Sequence, residues 1–203
     1  MFNPKNIHCL ALNYKGVGEN AEKPLYFIKS TNTLCFNGSL VNYPQNSSKL
    51  WTEVELGIVV SKDCSDIEES DAEKYIDGYI VCGDITCENI LNRDHHLGFS
   101  KSRKNFCPVS TKIVKLTRSE LFNLELTTMI NGKVTQKGSI REMLFDPYKS
   151  LSYVSSITEL NQGDIILTGT PAGVDNNTIY VGDKVSHRIE KIGEVSFEVC
   201  TWV

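Results

Sequence analysis

The chain lacks any long apolar run. Its longest uninterrupted aliphatic stretch, Ile58 to Val60 with its flanks, is far too short to span a bilayer, so no membrane role is expected. The opening residues, MFNPKNIHCLALNYKG, carry no apolar block of the kind a secretory signal needs, and a cytoplasmic location is expected. Positive charge is not in surplus. Lys and Arg number 21 against 25 Asp and Glu, for a net charge of −4. That balance argues against a nucleic-acid partner or an anionic membrane surface, both of which want a basic face. Low-complexity tracts and solenoid-period repeats are absent. So is a phosphate-binding G-x-x-x-x-G-K-[ST] loop, and GVGENA at 16–21 matches a dinucleotide fingerprint only in letters. Pro24 stands where the required helix would run, and no βαβ unit follows. A disulfide framework is also unexpected. The seven cysteines are odd in number and scattered, which suits reduced thiols.

What is present is an ordinary globular composition, 40% hydrophobic and 23% charged, in 203 residues. That length suits a single catalytic-size domain over 1–203, with 1–50 forming N-terminal strands and a short loop. Strands are expected at Ile7–Leu12, Leu25–Ile28, Thr33–Phe36, Val54–Val60, Tyr79–Cys82, Leu124–Ile130 and Asp164–Thr168. Asn131-Gly132 marks a hairpin, and 184–199 reads as a closing hairpin around Gly193. Ser70–Ile76 reads as a short helix. Thr86 is placed as the cap of another, running to about His96 and stopped by Gly98. Asp146-Pro147 opens a third, whose Leu151, Val154 and Ile157 form a core stripe. The sum is a β-rich α+β fold without the regular alternation of a doubly wound sheet.

The stretch WTEVELGIVV sets Glu53 and Glu55 on one side of a strand, with Val54 and Leu56 on the other. At about 6 Å and an effective dielectric near 20, two such charges repel by roughly 3 kcal/mol. Water, a proton or a cation relieves that repulsion. Asp84 follows the second buried strand, in GYIVCGD, where Gly83 gives the backbone room to bend. If the two strands are neighbours, three carboxylates converge. Such an all-oxygen site suits a hard divalent cation, Mg²⁺, Mn²⁺ or Ca²⁺. The scattered Cys82, Cys87, His95, His96 and Cys107 match no standard zinc spacing.

WTEVELGIVV, GYIVCGDIT, SKSRKNFCPVS, NGKVTQKG and GDIILTGTPAGV, in that order, resemble the fumarylacetoacetate hydrolase family over about residues 5–200. The likeness is greatest to its short branch of acylpyruvases, oxaloacetate decarboxylases and 2-hydroxyhepta-2,4-diene-1,7-dioate isomerases. The resemblance implies a mixed β-roll or barrel-like fold, a homodimer and an Mg²⁺ or Mn²⁺ site. It implies Glu53, Glu55 and Asp84 as metal ligands, Lys101 as the active-site lysine, Thr170 as a contact for the substrate carboxylate, and Lys29 as a further substrate contact. The implied activity is hydrolase, lyase or isomerase chemistry on a small 2-oxo acid or β-dicarbonyl through a metal-stabilised enolate. Gln136 follows the hairpin as in relatives, and packing or capping accounts for it.

The departures are local. The family pattern carries a His three places after the Tyr of its Asn-Tyr pair and a Glu three later, on a lid helix that activates water. Here Val17 and Asn20 stand at those places, the segment is shorter, and two glycines weaken a lid helix. Glu19 or Glu22 is the stand-in base, Glu19 being preferred. An arginine and a glutamine that follow the metal aspartate in relatives are Glu88 and Leu91 here. These changes favour enolate chemistry over hydrolysis, with a catalytically impaired metal- or metabolite-binding dimeric scaffold as the alternative.

Overall fold

A computed structural model describes residues 3–17, 22–88 and 94–201. Among them twelve strands form two sheets. The larger holds β1 (Ile7–Ala11), β2 (Leu25–Lys29), β3 (Leu34–Phe36), β5 (Leu50–Val60), β6 (Ile76–Cys87), β7 (Cys107–Val109) and β10 (Ile165–Leu167), in the order β2-β1-β10-β5-β6-β7-β3. The smaller holds β4 (Ser39–Asn42), β8 (Glu125–Ile130), β9 (Lys133–Ser139), β11 (Lys184–Ile189) and β12 (Gly193–Cys200), in the order β4-β12-β11-β8-β9. Parallel and antiparallel pairs mix, as in β1–β10 and β5–β6. The α+β, β-rich, barrel-like fold read from the sequence is the one observed. No helix among the described residues is long and apolar enough to cross a membrane.

The centre is the β5–β6 pair. These strands run antiparallel from Leu50 opposite Cys87 to Val60 opposite Ile76. Alternation divides β5 between two environments. Val54, Leu56, Ile58 and Val60 join a core cluster with Leu126, Leu151, Val154, Ile189 and Val195. Val59 faces a second cluster with Cys9, Ile80, Cys82, Cys107 and Val109, and Glu53 and Glu55 share its parity. Burying such a Val or Ile side chain stabilises by about 1.5–3 kcal/mol, so the apolar half of β5 fixes which way the acidic half points.

Both strands exceed their sequence-read lengths. Val54–Val60 is only the apolar part of β5, and Tyr79–Cys82 only part of β6. Polar Thr52, Glu53 and Asp84 look like strand ends by hydropathy, but cross-strand hydrogen bonds carry the ladder through them. Gly83 is therefore not a bend. A Cβ there would lie 2.8 Å from His187 Cδ2 and 2.8 Å from Pro108 Cγ, so glycine lets the two sheets approach. The helix expected from Thr86 is also corrected, because β6 runs on to Cys87 and 89–93 lie outside the described residues. Among the described residues of this region, α1 (Gly98–Lys101) begins at the glycine expected to end a helix. Asp94 caps it, its carboxylate accepting from Phe99 N at 3.1 Å and Ser100 N at 2.7 Å.

Elsewhere local chemistry reads through. The segment expected as a helix at 70–76 forms a 3₁₀ helix, Glu69–Tyr75. Asn131 and Gly132 take φ of 52° and 78°, the doubly positive pattern of a tight hairpin. After α2 (Arg118–Leu121), Asp146 caps α3 (Pro147–Ser155), accepting from Tyr148 N and Lys149 N at 2.9 Å. Leu151 and Val154 are buried, but Ile157 lies beyond the end of α3 and is 44% exposed, so the core stripe ends at Val154.

Candidate metal centre

Glu53 stands directly opposite Asp84 across the β5–β6 ladder, and Glu55 is two residues further on the same side. One carboxylate oxygen from each of the three lies within 4.8 Å of the others. Among the described residues this is the one cluster of three or more His, Cys, Asp or Glu side chains so gathered. The seven cysteines are all free thiols.

Each carboxylate is held from a different side. Glu53 Oε1 accepts from Trp51 Nε1 at 2.9 Å and from Thr86 Oγ1 at 3.4 Å. Asp84 sits between two ammonium groups. Lys101 Nζ donates to its Oδ2 at 2.6 Å and reaches Glu53 Oε2 at 3.3 Å, while Lys29 Nζ donates to Oδ1. Glu55 has no lysine in contact, and its Oε2 accepts the backbone N–H of Gly169 at 2.5 Å.

The electrostatics follow from these contacts. Burial would raise the Asp84 carboxyl, but Lys101 and Lys29 outweigh it and hold the group below the usual carboxylate range. Burial would lower Lys101, yet Asp84 and Glu53 keep its ammonium firmly protonated. Burial, then Asp84, then Glu53 push Glu55 well above the carboxylate range. Three carboxyl groups face two ammonium groups, and Glu55 is the one left without a cationic partner, so burial and its acidic neighbours favour its protonated form. A hard, all-oxygen donor set with one carboxyl lacking a cation fits a divalent ion, which would displace that proton.

The surroundings fix this geometry. Gly169, at φ +87°, leads from β10 toward Thr170; a Cβ there would lie 3.1 Å from Leu10 O and 3.2 Å from Asn13 Cβ. Asn13 Nδ2 ties Thr168 O at 2.8 Å and Phe145 O at 2.9 Å, locking the turn to β1. A cavity of about 260 Å³ opens over the cluster, lined by Leu10, Ala11, Leu12, Val17, Glu53, Glu55, Lys101, Gly169, Thr170 and Val174. Leu12 lines it with φ +60°, an unusual conformation for a bulky side chain. A larger groove of about 400 Å³, between Leu40, Met129, Phe197 and Glu198, carries no such cluster.

Glu53, Glu55, Asp84, Lys101 and Thr170 thus come together, and all but Asp84 line the cavity. Lys29 lies elsewhere than a substrate contact would. Its side chain is fully enclosed behind Asp84, and it also donates to Phe106 O at 2.9 Å and Ile85 O at 3.4 Å. Glu19 lies outside the described residues. Val17 is on the cavity wall, so the family's histidine place is apolar here. Glu88 is exposed and turned to the loop at 47–48, where it accepts from Ser48 N at 3.3 Å and from the Ser48 hydroxyl, away from the cavity. Sequence reasoning passed over Gln136, which is buried and donates to Thr170 Oγ1 at 3.0 Å. Its position just after the hairpin was the available signal.

Fold and site together define a β-rich domain with an acidic cluster beneath a small cavity. The family model for the fumarylacetoacetate (FAA) hydrolase C-terminal domain matches residues 6–200, and the chain belongs to that family. The mitochondrial oxaloacetate tautomerase FAHD1 of Arabidopsis thaliana is 35% identical over 202 residues, 95% of this chain and 90% of that protein. The mitochondrial oxaloacetate decarboxylase of Dictyostelium discoideum is 37% identical over 161 residues, 77% of this chain and 74% of its own. Among solved structures, the 5-carboxymethyl-2-hydroxymuconate delta-isomerase of Mycobacterium smegmatis superposes with a TM-score of 0.92 at 28% identity, covering 100% of this chain and 81% of that one. Fumarylpyruvate hydrolase of Pseudomonas aeruginosa, solved with Mn²⁺ and pyruvate, gives 0.88 at 23% identity, covering 99% and 91%, and shares the fold.

Proposed function

We propose that the protein is a divalent-metal-dependent enzyme acting on a small 2-oxo acid or β-dicarbonyl, with Glu53, Glu55 and Asp84 holding Mg²⁺ or Mn²⁺. The observation that carries this reading is the register of β5 against β6, which sets Glu53 opposite Asp84 with Glu55 beside them and Lys101 between the first two. When bound, the ion supplies a Lewis acid for the enolate that such substrates form.

The chain's own groups divide the remaining work. Lys101, kept protonated, puts a fixed positive charge where negative charge develops on the substrate. Lys29 holds Asp84 from behind and leaves its other oxygen facing Lys101. The Gly169 N–H anchors Glu55, and the Thr170 hydroxyl binds the substrate carboxylate. Leu10, Leu12 and Val17 make one wall apolar and keep water from the reacting carbon. With Val17 at the family's histidine place, the described wall offers no imidazole to activate water. The reading therefore favours decarboxylation or keto–enol exchange of a 2-oxo diacid over hydrolytic cleavage.

The test is an assay of purified protein with Mn²⁺ or Mg²⁺ against oxaloacetate and acetylpyruvate. Turnover of oxaloacetate that chelation abolishes and Lys101→Met cuts by a factor on the order of 10²–10³ is the expected result. Brisk acetylpyruvate cleavage without action on oxaloacetate would reject the preference for enolate chemistry. Mn²⁺ binding without turnover of either would favour the second reading, a metal- or metabolite-binding scaffold, for which the apolar Val17 speaks.

A further inference from the structure

Gln136 lies on β9, in the smaller sheet, with its side chain reaching the cavity turn of the larger one. Its Nε2 donates to Thr170 Oγ1 at 3.0 Å and to Pro171 O at 2.7 Å. Its Oε1 accepts from Thr128 Oγ1 at 3.0 Å and from Asn177 Nδ2 at 2.7 Å. The partners fix which end is which. The Pro171 carbonyl only accepts. Asn177 Nδ2 also donates to Thr52 O at 3.0 Å, so it is the amino end of its own amide. The Gln136 amide cannot be turned round without losing these bonds.

That orientation sets the direction of every neighbouring hydroxyl. Thr128 gives its proton to Gln136 and so takes one from His187 Nδ1, 3.1 Å away. Neutral His187 then accepts at Nε2 from the Thr52 hydroxyl, 2.7 Å away. Thr52, His187, Thr128, Gln136 and Thr170 form one series in which each group donates to the next. All are buried, Thr170 the most exposed at 9%. Reversing one step would strand a buried donor or acceptor. At the far end Thr170 Oγ1 is already accepting, so its own proton remains. Among the described residues no acceptor takes that proton, and Thr170 borders the cavity beside Glu55 and Lys101.

We propose that Gln136 is a positioning residue that holds the Thr170 hydroxyl as a donor toward an anionic group of the ligand, a carboxylate above all. The inference rests on the functional reading given above. A plain structural staple would tie the same turn to the same sheet but would not care which way the Thr170 proton points.

Calorimetric titration of the Mn²⁺-loaded protein with oxalate separates the two. Thr170→Val weakens oxalate binding about tenfold, the size of one hydrogen bond to an anion, and Thr170→Ser restores it. Gln136→Leu weakens it to a similar extent with Mn²⁺ affinity unchanged. Gln136→Leu adds nothing further in a Thr170→Val background, because the effect runs through that hydroxyl. Gln136→Glu, nearly the same shape, makes Thr170 donate backward and also weakens oxalate; this variant decides the matter if Gln136→Leu does not fold. Oxalate affinity unchanged in Gln136→Glu or Gln136→Leu, or losses that add in full with Thr170→Val, would overturn the inference alone. Wild-type protein that binds Mn²⁺ but no oxalate, or neither, overturns the functional reading and this inference with it.

Discussion

Two buried polar clusters share β5, on its opposite faces, and they are built by different rules. On one face Glu53 and Glu55, with Asp84, meet Lys29 and Lys101, three negative groups against two positive. On the other face Thr52 meets His187, Thr128, Gln136 and Asn177, a neutral group in which the polar ends find partners. The second cluster spends its hydrogen bonds within the protein and is rigid. The first has one carboxyl more than it has ammonium groups, and Glu55 is the one without a cationic partner. A site that binds a cation needs that imbalance, and it needs rigid neighbours to keep the acidic groups from spreading apart.

The contrast can be broken most directly at Asp84. Asp84→Asn leaves the enclosed Lys29 ammonium without its charged partner, so unfolding stability should fall by about 3–5 kcal/mol. Thr52→Val, which deletes one neutral bond to His187, should cost about 1–3 kcal/mol. Urea denaturation of both variants without metal makes the comparison; equal losses would mean the charged face is no more demanding than the neutral one.

Acid should act on the two clusters in opposite directions. Burial pushes His187 down from 6.5 to about 3. The unfolded chain then binds a proton the folded one refuses, so stability falls as pH drops below 6.5 and goes on falling toward 3. At pH 5 the loss is about 2 kcal/mol. Glu55, with its carboxyl raised by burial and by its acidic neighbours, gains a proton more readily when folded and offsets part of that loss. Glu55→Gln should therefore show the larger drop between pH 7 and pH 5, and wild type the smaller. Asp164 adds to acid lability lower down. Despite burial, His8, Asn161 and Asn6 hold its carboxyl near 2, so its contribution is present above 3.8 and is lost as pH falls through 2.

At neutral pH Glu55→Gln should weaken Mn²⁺ binding by more than about tenfold, since it removes one of three ligand charges. The same change should raise the melting temperature of metal-free protein, because the cost of burying an ionisable carboxyl beside Asp84 and Glu53 goes with it. Calorimetry and thermal melts should thus move in opposite senses; movement in the same sense would point to misfolding. The smallest effect is expected at Glu88. Exposed and turned toward Ser48, it should change stability by less than about 0.5 kcal/mol as Glu88→Gln, with Mn²⁺ and oxalate affinities unmoved. A gain in oxalate affinity would mean that its charge reaches the cavity after all.

Much of the site was legible along the chain because its signal is local. The same-side pairing of Glu53 and Glu55 follows from the two-residue period of a strand. Asn131-Gly132 and Asp146-Pro147 announce a turn and a helix start by their own backbone preferences. Thr86 misled because its reading rested on a capping residue alone, while pairing with β5 keeps it in a strand. Lys29 looked like a substrate contact from the resemblance, and only its enclosure behind Asp84 sets it apart. Gln136 offered only its place just after the hairpin, and its role was hidden because its four partners lie 8 to 41 positions away, mostly on other elements.

By itself the sequence determined a β-rich fold, an acidic pair on one strand face, and a third acid just beyond a second strand able to pair with the first. Those features depend on periods of a few residues and on the order of segments. The tertiary structure alone decided which strands are neighbours, in what register Asp84 meets Glu53, which lysine faces the cavity and which is sealed behind it, and that an amide from the second sheet orients Thr170. Burial and hydrogen-bond direction are properties of surroundings drawn from distant parts of the chain, and no short window of residues contains them.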